Sequence, residues 1–121
     1  MNILRTAMIG NAVFSSLSAM GFLLLKDTIA ASTNIPAIVL ELIGLGLFGF
    51  AVLLLYGIFG ARQKTVGTLA IWLDWAWVIG SALALLLPLT SNGRIGIAMI
   101  AVLVAGFALW QQRGIATIGR A

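Results

Sequence analysis

The sequence predicts an all-α, polytopic membrane protein folded as an antiparallel, up-down-up-down four-helix transmembrane bundle. Two observations predict it. The 121 residues are 62% hydrophobic and only 8% charged, whereas soluble domains are roughly 45–50% apolar and about 25% charged. One small soluble core could not hide that much apolar surface. The charges are also segregated: none occurs over 6–25, 42–61, 75–93 or 95–112. A helix needs about 20 mostly apolar residues to cross roughly 30 Å of hydrocarbon. The four stretches therefore read as four spans, and they take up nearly the whole of a single integral membrane domain, 1–121.

The first span is expected over 4–25. Asn11, Ser15, Ser16 and Ser18 interrupt it, and it is longer than the apolar core of a signal peptide, so it is read as retained. Lys26 and Asp27 mark the water interface, and the small polar segment 28–35 reads as a loop or interfacial turn. Pro36 suits the first turn of the second helix, 36–59, where a missing N–H costs nothing. Arg62 and Lys64 make 60–65 a basic turn. The third span is expected over 66–89, with Pro88 near its end, and Thr90-Ser91-Asn92-Gly93-Arg94 has turn chemistry. The fourth span is expected over 95–111, followed by a tail with Arg113 and Arg120. Connections this short make successive helices antiparallel neighbours. Small residues on the second helix (Gly44, Gly46, Gly49, Gly57), the third (Gly80, Ala84) and the fourth (Ala98, Ala101, Ala105, Ala108) allow close helix approach.

Basic residues set the orientation. Arg5, Arg62, Lys64, Arg113 and Arg120 fall at one face, and Lys26 and Arg94 at the other. The positive-inside bias places both termini in the cytoplasm. Tyr56, Phe59, Trp72, Trp75 and Trp110 lie near the same ends of their helices, as an interfacial aromatic belt would. This spread of basic residues argues for topology and against nucleic-acid binding.

Histidine and cysteine are both absent, which removes thiol chemistry, thiolate and imidazole metal sites, histidine-ligated haem and the usual proton shuttle. No metal and no cofactor is expected. Two carboxylates fall within the predicted spans, Glu41 and Asp74. A charged side chain near the bilayer centre costs about 2.5–3.5 kcal/mol on insertion scales, so it usually meets a partner or a cavity. Asp74 lies seven or eight residues into the third span, on the order of 10 Å deep. Asn11 has a comparable depth, Ser15 lies one turn further in and Tyr56 is shallower. Asp74, Asn11, Ser15 and Tyr56 form the candidate intramembrane polar cluster, with Arg5 as an alternative partner for Asp74. Glu41, Ser18 and Ser81 are the candidate polar groups of the outer half, Glu41 bending to water or pairing with Lys26. Trp72, Trp75 and Trp77 are candidate aromatic contacts, either with lipid or, at Trp77, with a cation or a flat apolar molecule.

Leu4-Arg5, then Asn11-Ala12-Val13-Phe14-Ser15, then Asp74-Trp75-Ala76-Trp77-Val78-Ile79-Gly80-Ser81 give the chain a resemblance. It resembles a group of small, uncharacterised four-helix bacterial inner-membrane proteins. The resemblance implies the fold and a bacterial inner (plasma) membrane, and it carries no activity. The chain departs from the small multidrug-resistance transporters, whose essential glutamate lies in the first helix; Asn11 and serines stand there instead.

The expected function is that of a non-enzymatic membrane protein, a homo-oligomer or an accessory or binding subunit of a membrane complex. Besides the bilayer, its expected partners are a second copy or another membrane subunit, with a lipid or small apolar molecule as candidate ligand. The alternative is a small proton- or cation-coupled transporter or channel using Asp74 as its intramembrane carboxylate. One aspartate, one glutamate and one tyrosine on separate helices make a poor catalytic set.

Overall fold

The computed structural model describes residues 2–120, with side chains as far as Thr117. Arg120, counted above with the basic residues of one face, has its side chain outside the described residues. Among the described residues the chain forms five α-helices: α1 (Ile3–Leu24), α2 (Lys26–Thr33), α3 (Ala37–Phe59), α4 (Gln63–Ala84) and α5 (Ser91–Arg120). The four long ones are long and apolar enough to cross a membrane. At 1.5 Å per residue, 22 residues rise about 33 Å. Large apolar side chains remain exposed around the molecule, among them Leu17, Leu24, Val52, Leu83 and Val102. Such a surface suits lipid and not water.

Element ends differ from expectation for local reasons. The segment 28–35, expected as a loop, contributes most of α2. Asp27 sits in the first turn of α2, where a carboxylate complements the helix dipole. Thr33 Oγ1 donates back to Ile29 O at 2.7 Å, and Asn34 closes the helix in the left-handed region at φ 65°. The third span, expected to reach residue 89, stops at Ala84. Pro88 has no N–H to give the Ala84 carbonyl four residues back, and its ring would crowd that oxygen. The Arg94 guanidinium donates instead to the carbonyls of Leu85 and Leu87, satisfying part of the frayed end. Helix α5 begins at Ser91, four residues earlier than expected. Thr90 acts as its N-cap, its hydroxyl accepting from Gly93 N at 3.1 Å. The same helix runs on to Arg120, well past residue 111.

Packing is uneven along the helices. Leu4, Met8 and Ala12 of α1, Leu54 and Ile58 of α3, and Val66 and Ala70 of α4 form one core cluster, with Ile115 of α5 against it. This half holds the N-terminus and the short α3–α4 turn. Gly57 lets α3 approach closely here: a Cβ at that position would lie 2.6 Å from Val66 and 2.7 Å from Met8. Gly44 makes a similar approach to Leu23, whereas Cβ atoms at Gly46, Gly49 and Gly80 would meet nothing within 4 Å. Not every small residue is therefore a contact. In the other half α2 is tied to the start of α5. Thr90 Oγ1 donates to Ser32 O at 2.7 Å, and Asn92 Nδ2 to Ser32 Oγ at 3.3 Å. Between these two ends the helices leave space.

The Lys26–Glu41 ion pair, 3.2 Å, joins α2 to α3 with both side chains partly exposed. Partly exposed pairs contribute little. We expect Glu41→Gln to change unfolding free energy by less than about 0.5 kcal/mol. A larger loss on thermal unfolding in mild detergent would show that the pair is a structural clamp.

Candidate functional site

Helical periodicity builds the site. The buried stripe of α1 reads Leu4, Ala7, Met8, Asn11, Ala12, Ser15, Ala19, steps of three and four that keep one face inward. On α4 the stripe is Val66, Gly67, Ala70, Ile71, Asp74. On α5 it includes Val104, Ala108 and Gln111. Each stripe thus carries polar groups to the interior, and the three meet. Asn11 Nδ2 donates to Asp74 Oδ2 at 2.9 Å and to Gln111 Oε1 at 3.1 Å. Gln111 Nε2 donates to Asp74 Oδ2 at 2.8 Å, closing a triangle across α1, α4 and α5. Ser15 Oγ donates to Asn11 Oδ1 at 3.3 Å. None of the four side chains is more than 3% exposed.

Asp74, Asn11 and Ser15 are thus brought together, and Tyr56 is not. Tyr56 is 59% exposed, because two residues beyond Leu54 a helix has turned by about 200° and Leu54 faces the core. Arg5 does not pair with Asp74 either; its guanidinium lies over the Phe59 ring, 5.8 Å from the centroid. Gln111 is the member that sequence reasoning missed. Ending the fourth span at residue 111 made it an interfacial residue, whereas α5 continues for more than two further turns. Its spacing of three and seven from Ala108 and Val104 was the available signal.

The outer-half candidates separate. Glu41 pairs with Lys26. Ser18 lines a small cavity of about 40 Å³ that also touches Asn11, Ser15 and Asp74. Ser81 lines a much larger one of about 720 Å³. That chamber lies between Val39, Leu40 and Ile43 of α3, Trp77, Gly80 and Ala84 of α4, and Gly96 and Ile97 of α5. Its walls are almost wholly apolar. Phe22, Leu73, Trp77 and Ile100 line both cavities and so form the partition between them. The buried Trp77 Nε1 donates to no acceptor among the described residues. Trp72 is exposed, and Trp75 lies half-buried beside it in a shallow pocket with Gln112 and Ile115. Trp77 alone of the three tryptophans faces the interior cavities.

No protein-family model matches the chain, and neither a curated protein nor a solved structure matches it. The chamber and the polar triangle are the features that bear on function. Among the described residues no group of three or more His, Cys, Asp or Glu is placed to hold a metal ion.

Proposed function

We propose that the protein is a non-enzymatic, membrane-embedded binding protein that holds one lipophilic molecule within its bundle, as an accessory subunit of the bacterial inner membrane. The chamber of about 720 Å³ carries this reading. Ligand sites are typically concave, mostly apolar and on the order of 300–1,000 Å³. The fit is to an uncharged, largely hydrocarbon molecule: among the described residues Ser81 and Thr33 are the hydroxyl side chains in the wall, and no charged one lines it.

The up-down-up-down arrangement is part of the same proposal. Two sets of bonds support it. Asn2 Nδ2 donates to Gln63 Oε1 at 2.9 Å, linking the starts of α1 and α4. Asn34 Nδ2 donates to Pro88 O at 2.8 Å, linking the segments before α3 and after α4. Cytoplasmic termini follow from the basic residues at the Asn2–Gln63 end.

Native mass spectrometry from nanodiscs tests the function. The wild-type chain is expected to carry one lipophilic molecule per copy. Gly80 and Gly96 both line the chamber, and a Cβ at either meets nothing within 4 Å. The Gly80→Leu/Gly96→Leu variant is therefore expected to fold, to melt higher as filled cavities do, and to lose at least about 90% of the bound molecule, the loss that two branched side chains in the site imply. A wild-type chain that carries nothing and takes up no apolar probe would end the proposal.

A further inference from the structure

Asp74 is 3% exposed, and one of its two oxygens does all of its bonding. Oδ2 accepts from both Asn11 and Gln111, at 2.9 and 2.8 Å. Oδ1 accepts no hydrogen bond among the described residues, and Asp74 is one of the residues lining the small cavity of about 40 Å³. The free oxygen is the polar atom Asp74 has left for that space.

The surroundings supply dipoles and no charge. Around the small cavity α1 contributes Asn11, Ser15 and Ser18, and α3 contributes Leu47 and Phe50. Helix α5 adds Val104 to the wall and Gln111 to the carboxylate. No Lys or Arg lines it, and Lys26–Glu41 is the one ion pair among the described residues. A buried carboxylate held by neutral amides alone lacks the countercharge that such groups ordinarily have. The unmet need is for a positive charge small enough for a space of this size, which is near that of a single water. The oxygens at hand, a carboxylate and two serine hydroxyls, are hard donors suited to a proton or an alkali ion.

We propose that the small cavity beside Asp74 binds one monovalent cation, a proton or Na⁺, at Asp74 Oδ1. The site is separate from the lipophile chamber and does not depend on it. It lies behind the Trp77 partition.

Infrared spectroscopy of the protein in dodecyl maltoside, a detergent with no carboxyl or ester group, reads the carboxyl directly. The chain has three acidic side chains, Asp27, Glu41 and Asp74. The Asp27→Asn/Glu41→Gln variant keeps Asp74 as its sole side-chain carboxyl, so the assignment does not rely on an Asp74 variant folding. In choline chloride at neutral pH the Asp74 signal of this variant is read as a protonated-carboxyl band or a carboxylate signal. The same sample is then moved to NaCl, and a bound cation is expected to appear in one of three ways. A band that NaCl converts to a carboxylate signal identifies a site exchanging H⁺ for Na⁺. A band that NaCl leaves in place identifies the proton as the bound cation. A carboxylate signal in choline that NaCl shifts identifies Na⁺. A carboxylate signal in choline that NaCl leaves unmoved would overturn the proposal. Bound lipophile, measured on the same sample, reports independently on the chamber.

Discussion

Asp74→Leu is expected to destabilise the protein by about 2–3 kcal/mol, while Asp74→Asn stays within about 1 kcal/mol of wild type. The contrast follows from the triangle. Asp74 Oδ2 is the common acceptor for Asn11 Nδ2 and Gln111 Nε2. An asparagine offers an amide oxygen at the same place and can receive both. Leucine offers nothing. Asn11 Nδ2 then keeps Gln111 Oε1, but Gln111 Nε2 is left buried with no acceptor. Hydrogen bonds between membrane helices average only about 0.6 kcal/mol, which by itself would make either substitution mild. Stranding a buried donor costs more, about 1–3 kcal/mol, and that term decides the order. Unfolding by denaturing detergent would measure it. Equal stability for the two variants would mean that the triangle does not hold α1, α4 and α5 together.

Gly114→Ala is expected to cost about 1–3 kcal/mol, although it adds a single methyl group. A Cβ at Gly114 would lie 2.5 Å from both the N and the Cα of Leu4. Those are backbone atoms of α1, so no flexible side-chain tip can yield and the two helices must move apart. Gly114 lies one turn beyond Gln111, and helical residues three apart share a face. Parting α1 from α5 at this point therefore strains the 3.1 Å bond between Asn11 and Gln111 as well. Gly106→Ala on the same helix is the control. A Cβ there meets nothing within 4 Å, and alanine is better than glycine within a helix by about 1 kcal/mol. Melting temperatures should fall for the first variant and hold or rise for the second. A Gly114→Ala chain as stable as wild type would show that α1 and α5 do not approach so closely.

Composition and the charge-free stretches by themselves determined that the chain is helical and apolar enough to cross a membrane four times. Lipid demands long runs without charge and with internally satisfied backbone groups, and that demand is written residue by residue. Asn11, Ser15 and Asp74 were legible for a related reason: a polar group on an otherwise apolar stripe stands out, and helix rise sets its depth. What one helix cannot specify is where its ends fall under the influence of its neighbours, or which face meets which. Gln111 stayed hidden because the length of α5 was underestimated. Tyr56 was misplaced because depth says nothing about azimuth. The chamber was not legible at all. It arises where α3 and α4, close at Gly57 and Val66 at one end, both line a space at the other, with α2 bonded to the start of α5. Local residue chemistry decides what each helix is. Only the tertiary structure decided what the helices enclose, because empty space belongs to no residue and depends on the angles between them.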